Sequence, residues 1–249
     1  FYQFGLAPED EIRQAARMAW QAGHRNAAVL TPAGEDYRRI QTDFVEVWQA
    51  LGGQVVSRAS FNNAAGYSDI IRQLMSIDTS EARAQRLREV LPRDNLEFIP
   101  RRRQDVDFIF MLANPAEGRQ IKPTMAFHFV GDVPVYAMPA IYDGRRDATG
   151  NRDLNGITFV DAPWVLGGDD PLRGSTSSVW PQAAGPVQRL RAMGIDSFRL
   201  YARLSQLENF PGIRLQGATG VLSMREDGSI MRELIGAQFV DGNIMVLTP

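Results

Sequence analysis

The sequence predicts an α/β protein of two lobes, each a sheet flanked by helices, with a cleft between them. Three observations carry that prediction. Residues 99–123 read as one strand-to-helix unit, the preceding hundred residues repeat the unit, and the chain ends in strands joined by Asp-Gly turns after a long crossing segment. Consecutive strand–helix alternation implies right-handed crossovers and a parallel sheet, whereas hairpin turns imply antiparallel pairing.

In the organising unit, Asp105 and Asp107 flank the start of an apolar run from Val106 to Leu112. A run that short, without solvent-facing alternation and bounded by turn signals, reads as an interior strand. Asn114 then supplies a helix N-cap, Pro115 sits where a helix has no use for an N–H, and Glu117 complements the positive helix end.

The earlier units follow the same grammar. Pro8 and the acids Glu9, Asp10 and Glu11 open a helix whose stripe is Ile12, Ala16 and Ala19, ended by Gly23. Ala27 to Leu30 is a short buried strand. Asp36 starts a second helix with Tyr37, Ile40, Phe44, Val47 or Trp48, and Leu51 inward, stopped by Gly52 and Gly53. Val55 and Val56 lie in the next strand, and Ser68 begins a helix with Ile70, Ile71 and Leu74 inward. A charged helix capped by Thr79 or Ser80 runs to Val90 as a surface excursion, followed by Pro92 to Pro100.

Beyond the organising unit, Val133 to Met138 is a strand that Pro134 places near a sheet edge. Residues 139–155 are polar and cross to a new region; Gly156 to Val160 is a strand, followed by an irregular loop through Pro181. One long helix is expected from Pro186 to Leu207, with Leu190, Met193, Ser197, Tyr201 and Leu204 on its inner face. Gly194, costly at mid-helix, implies a neighbour packed closely against it. Val221–Met224, Ile230–Val240 and Ile244–Leu247 read as successive antiparallel strands.

Composition narrows the function classes. The 249 residues carry 27 basic and 29 acidic side chains, a formal charge of −2, which argues against a nucleic-acid binder. Lys122 is the only lysine. With no cysteine, thiolate nucleophiles, disulfides and thiol metal sites are excluded, a composition that suits an oxidising compartment. His24 and His128, the only histidines, each follow a helix where a partly cationic ring is favourable, and neither has the companions of a metal site. No cofactor is expected. No apolar stretch is long enough to span a bilayer, and a first residue other than Met implies a piece of something longer.

Four groups of residues stand out as site candidates. Arg101, Arg102 and Arg103 form either a solvated edge paired with Asp105 or a contact for an acidic partner. Trp164, in the irregular loop, is an aromatic of the kind interfaces favour, or a core-covering side chain. Tyr2, Tyr142 and Asp143 lie near the crossings between lobes, where a receptor places ring-stacking and ammonium-binding groups; otherwise they are hinge packing and a polar turn. Ser175, Ser177 and Ser178 lack a nucleophile-elbow context, and Gly217–Gly220, reading GATG, precedes a strand and so is a turn rather than a phosphate cradle.

The segments FGLAPEDE (4–11), RRRQDVDFIF (101–110), PVYAMPAIYDG (134–144), DLNGITFVDAPW (153–164), RAMGIDSF (191–198) and GATGVLS (217–223) together resemble the C-terminal domain of the LpoA family. These are outer-membrane lipoproteins that activate a class A penicillin-binding protein from the periplasmic side. The resemblance implies a type I periplasmic-binding-protein fold of two Rossmann-like lobes, one incomplete in this chain. Residues 1–140 would form one lobe, 141–215 part of the other, and 216–249 would return to the first. It implies a non-enzymatic regulator at the periplasmic face of the outer membrane, held to the membrane only by a lipid anchor on the missing N-terminal part. A periplasmic receptor for an amino acid or wall fragment is the alternative. No catalytic residue is carried over.

Overall fold

In the computed structural model, which describes residues 1–90, 100–179, 185–210 and 212–247, seven strands form one mixed sheet and three form a smaller one. In chain order the strands are β1 (Asn26–Pro32), β2 (Gln54–Phe61), β3 (Phe108–Met111), β4 (Val135–Ala137), β5 (Ile157–Asp161), β6 (Leu215–Gln216), β7 (Val221–Met224), β8 (Ile230–Glu233), β9 (Ile235–Val240) and β10 (Asn243–Val246). The helices are α1 (Pro8–Gln21), α2 (Glu35–Ala50), α3 (Tyr67–Leu74), α4 (Ile77–Val90), α5 (Pro115–Phe127), α6 (Pro163–Leu166), α7 (Pro171–Val179), α8 (Gly185–Tyr201) and α9 (Leu204–Asn209).

The large sheet has the order β10-β9-β5-β4-β3-β1-β2. Its pairs from β2 to β5 are parallel, and β9 and β10 add antiparallel strands at one side. Alternation along β1 and β3 divides the core between the two faces. Ala28, Leu30, Ile109 and Met111 join Ile71 and Leu74 of α3 and Ile121 and Met125 of α5 on one face. Ala27, Val29, Phe108 and Phe110 meet Ile12 and Ala16 of α1 and Phe44 and Trp48 of α2 on the other. The rings of Phe44 and Phe110 stack with centroids 3.9 Å apart. Burying each such side chain contributes about 1.5–3 kcal/mol.

Local chemistry fixes these elements where the sequence placed them. Asn114 and Glu117 exchange the two hydrogen bonds of a capping box at the start of α5. Asp107, just before β3, accepts from the backbone amides of Arg25 and Asn26, 2.8 Å each, and so pins the entry to β1. Gly53 closes the turn after α2: a Cβ there would lie 2.2 Å from Trp48 Nε1, whose N–H donates to the carbonyls of Arg25 and Gln54.

Several expectations are corrected. β5 pairs with β4 and β9, so residues 157–161 belong to the sheet built by the first 140 residues and not to a separate lobe of 141–215. β4 is an interior strand; Pro134 immediately precedes it, so its missing N–H costs no ladder bond there and no edge is needed. The expected strand Ile230–Val240 is two strands in different sheets. The chain leaves the small sheet after Glu233 and enters the large one at Ile235, and Gln14 of α1 brackets the break, accepting from the Leu234 amide at 2.7 Å and donating to its carbonyl. Of the 216–249 segment, then, only β9 and β10 return to the large sheet. The expected loop after β5 contains α6 and α7, while its end, residues 180–184, lies outside the described residues, as do Pro92 and its successors to residue 99.

The long helix near the end is α8 and α9, interrupted between Tyr201 and Leu204, and α8 is rotated from the expected face. Its buried residues are Gly185, Arg189, Ala192, Asp196 and Leu200, whereas Leu190 and Tyr201 are 54% and 84% exposed. Apolar periodicity misleads here because the inward stripe carries two charges, each matched by partners inside the protein. Gly194 has open space around it rather than a close neighbour.

Candidate functional site

The join between the two sheets is built from charge. Arg189 of α8 reaches Asp161 at the end of β5 through paired hydrogen bonds, Nε to Oδ1 at 2.8 Å and Nη2 to Oδ2 at 2.6 Å, and also donates to the carbonyls of Pro139 and Tyr142. Burial pushes the Asp161 carboxyl above the ordinary carboxylate range, against the opposing hydrogen bonds and charge of Arg189. Beside it, Arg232 of β8 lies 3.5 Å from Glu11 and 3.8 Å from Asp10, both on α1. Asp10, almost wholly buried, accepts from Arg225 at 2.7 Å and from the Arg232 amide at 3.1 Å. Glu11 is pushed up to about 7 by burial, with Arg232 lowering it and Asp161 raising it. α1, β5, α8 and β8 thus meet at alternating carboxylates and guanidiniums.

A second carboxylate organises the Gly217–Gly220 turn. Asp196 of α8, fully buried, accepts from the amides of Ala218 and Thr219 at 2.8 and 2.7 Å and from the Thr219 hydroxyl at 2.7 Å. The turn joins β6 to β7, as its position before a strand implies. Its exposed-amide chemistry is satisfied by an internal carboxylate instead of a ligand.

The predicted site residues are dispersed. Arg103 makes a two-pronged ion pair with Asp105, both contacts 2.7 Å, and donates to the Val56 carbonyl. Arg102 pairs with Asp132 at 2.6 Å. Arg101 alone of the three is exposed. Trp164 is 3% exposed and packs with Ala192, Ala218 and Ile195, so it is a core residue between α6 and α8 and not an available surface aromatic. Tyr2 and Tyr142 are not brought together. Tyr2 donates to Glu208 at 2.7 Å and borders a cavity of about 290 Å³ with Leu207 and Met224. Tyr142 is buried against Phe159 and Phe239 and lines a different cavity of about 210 Å³, to which Asp143 does not contribute. Asp143 accepts from the Arg145 amide at 3.0 Å, the geometry of a polar turn.

Both histidines are held by packing. His24 stacks on Phe108 and His128 shares a 2.7 Å hydrogen bond with Ser68; burial pushes both rings below the ordinary histidine range, so the cationic form expected from the helix ends is disfavoured. No helix among the described residues is long and apolar enough to cross a membrane.

The model of the family described as LppC putative lipoprotein matches residues 1–242. This chain belongs to that family. Its relatives include the penicillin-binding protein activator LpoA of Vibrio cholerae, 29% identical over 236 residues, and that of Edwardsiella ictaluri, 30% identical over 253. These alignments cover 94% and 97% of this LppC-family chain and only 38% and 37% of the relatives, so it spans less than two fifths of their length. Among solved structures, the Haemophilus influenzae LpoA C-domain superposes with a TM-score of 0.74 at 24% identity, over 98% of this chain and 68% of that one. A putative branched-chain amino acid ABC transporter structure from Chromobacterium violaceum gives 0.65 at 23% identity, over 95% and 67%. The fold of the LppC chain is therefore the α/β, periplasmic-binding-protein-like one that the resemblance implied.

Proposed function

We propose that this chain acts, within a longer lipoprotein, as a non-enzymatic activator of a bifunctional class A penicillin-binding protein, which it contacts directly in the periplasm. The observation that carries this reading is the extent of the match. Residues 1–242 fit the lipoprotein family, and relatives named penicillin-binding protein activator align over nearly the whole chain. A protein-binding role also suits the interior, where the strongest polar constellations, around Asp161 and Asp196, are consumed by internal partners and tie elements together.

The mechanism is differential affinity: a domain that binds the active conformation of the synthase more tightly than the inactive one shifts the population toward activity. A lipid anchor outside this chain, in the outer membrane, would hold it at the periplasmic face and raise its effective concentration. Peptidoglycan synthesis and cell shape are the processes such activation would serve. Arg101 is the member of the arginine run best placed to meet an acidic partner surface, since Arg102 and Arg103 have carboxylates of their own.

The test is glycan polymerisation and crosslinking by the cognate purified synthase, alone, with the intact lipoprotein, and with this chain. Stimulation by both is expected, and Arg101→Glu should reduce it without changing the melting temperature. No stimulation by the intact lipoprotein would reject the reading; stimulation by the intact protein alone would move the activating surface outside these residues.

A further inference from the structure

The cavity beside Tyr142 is lined by cationic side chains that have no ion-pair partner among the described residues. About 210 Å³ in volume, it is lined among the described residues by three arginines, Arg145, Arg146 and Arg173, and by no acidic residue. Among the described residues none of the three forms an ion pair. Of the carboxylates nearest in sequence, Asp143 accepts from the Arg145 amide, Asp147 from the Gly150 amide, and Asp170 pairs with Arg199 through contacts of 2.7 and 3.0 Å, while Asp169 is exposed and does not line the cavity. Guanidinium groups brought together without counter-charge repel one another, and an anion that bridges them removes that cost.

The backbone holds the cavity open and in place. Gly242, on its wall, has φ +73° and approaches Ala148 so closely that a Cβ would fall 1.9 Å from the Ala148 carbonyl oxygen. Its amide donates to Asn155 at 2.9 Å. This seats the β9–β10 turn against the 144–151 loop that carries Arg145 and Arg146. Val165, Leu166, Ile244 and the buried ring of Tyr142 give the wall an apolar part, and Asn151 and Asn243 add neutral polar side chains.

We propose that this cavity is a binding site for a small organic oxyanion, its carboxylate or phosphoryl group held by Arg145, Arg146 and Arg173 and its short apolar body against Tyr142. Planar guanidiniums match either oxyanion through paired hydrogen bonds, so the charge chemistry is shared by the two sources. The volume limits the occupant to a compact molecule. This differs from the amino-acid cleft expected from Tyr2, Tyr142 and Asp143, because among the described residues no carboxylate lines the cavity to receive an ammonium group. It is also independent of synthase activation.

Isothermal titration of the intact protein at low ionic strength tests the site, with inorganic phosphate in one arm and N-acetylalanine in the other. Saturable binding of phosphate alone assigns a phosphoryl ligand, and of N-acetylalanine alone a carboxylate; binding of both assigns a general oxyanion site. In each case affinity should fall at least about tenfold in Arg173→Gln and in the double variant Arg145→Gln/Arg146→Gln. Arg145 and Arg146 are exposed, so the double variant should keep the wild-type melting temperature and report on binding even if Arg173→Gln is less stable. No saturation with either probe up to about 10 mM, or affinities unchanged in the double variant, would overturn the proposal.

Discussion

Arg189 and Asp161, 28 residues apart, form a two-pronged buried ion pair that fastens α8 to the end of β5. Removing one partner leaves the other buried without its counter-charge and hydrogen bonds. Arg189→Met should therefore destabilise the protein by about 3–5 kcal/mol, whereas Arg189→Met combined with Asp161→Leu should recover most of the loss. Urea denaturation of the single and double variants checks this. A single variant within about 0.5 kcal/mol of wild type would mean that the pair contributes little to holding the helix.

The raised Glu11 gives stability a pH dependence of definite sign. A carboxyl at about 7 in the fold and about 4.5 when unfolded retains its proton in the native state between those values. Its contribution is fully present below about pH 4.5 and lost as pH rises through about 7, by up to about 3 kcal/mol. Glu11→Gln should flatten that segment of the stability curve and raise stability at pH 8 relative to wild type. Parallel curves for the two proteins from pH 4.5 to 8 would contradict the assignment.

Asp196 takes two backbone amides and a hydroxyl that otherwise have no partner in the turn. Asp196→Ala should cost about 3 kcal/mol and expose the Ala218 and Thr219 amides to hydrogen exchange. Asp196→Asn, which keeps an acceptor, should lose less. Exchange at those two amides that is as slow in Asp196→Ala as in wild type would count against the carboxylate as their partner.

Two glycines should respond oppositely to alanine. At Gly194, mid-helix and with no atom beyond its chain neighbours and its own helix backbone within 4 Å of where a Cβ would stand, alanine should stabilise by about 0.5–1 kcal/mol. At Gly53, where a Cβ would lie 2.2 Å from Trp48 Nε1, alanine should destabilise by about 1–3 kcal/mol. Thermal melts of the pair suffice, and equal shifts would show that the environment does not decide the outcome.

The large sheet was legible in the sequence because its strands are short apolar runs and its helices begin with acids and caps, so local signals and burial agree. β3, the capping box at Asn114 and the stops at Gly23 and Gly53 all fall where those signals put them. α8 was not legible in orientation. Hydrophobic spacing assumes that charged residues face water, and Arg189 and Asp196 reverse that assumption by finding partners 28 and 22 residues away, on other elements. The division of residues 230–240 was hidden for a related reason: the break at Leu234 is bracketed by Gln14, more than two hundred residues earlier, and the one nearby glycine, Gly236, lies inside β9 rather than at the break. Of the site candidates, Arg103 paired with Asp105 could be foreseen from a separation of two residues, while the Arg145, Arg146 and Arg173 cavity depends on a loop, a helix and a hairpin turn meeting in space.

The passage from β8 to β9 has a mechanical consequence. Along this route a single residue, Leu234, bridges the two sheets, and both its backbone groups are clasped by one side chain from α1. A planar peptide chain offers only two soft torsions per residue, so no slack is stored there. Tension applied to the small sheet is transmitted to β9, and through β9 to the parallel strands, as if the two were one stiff ribbon bent once at a riveted corner.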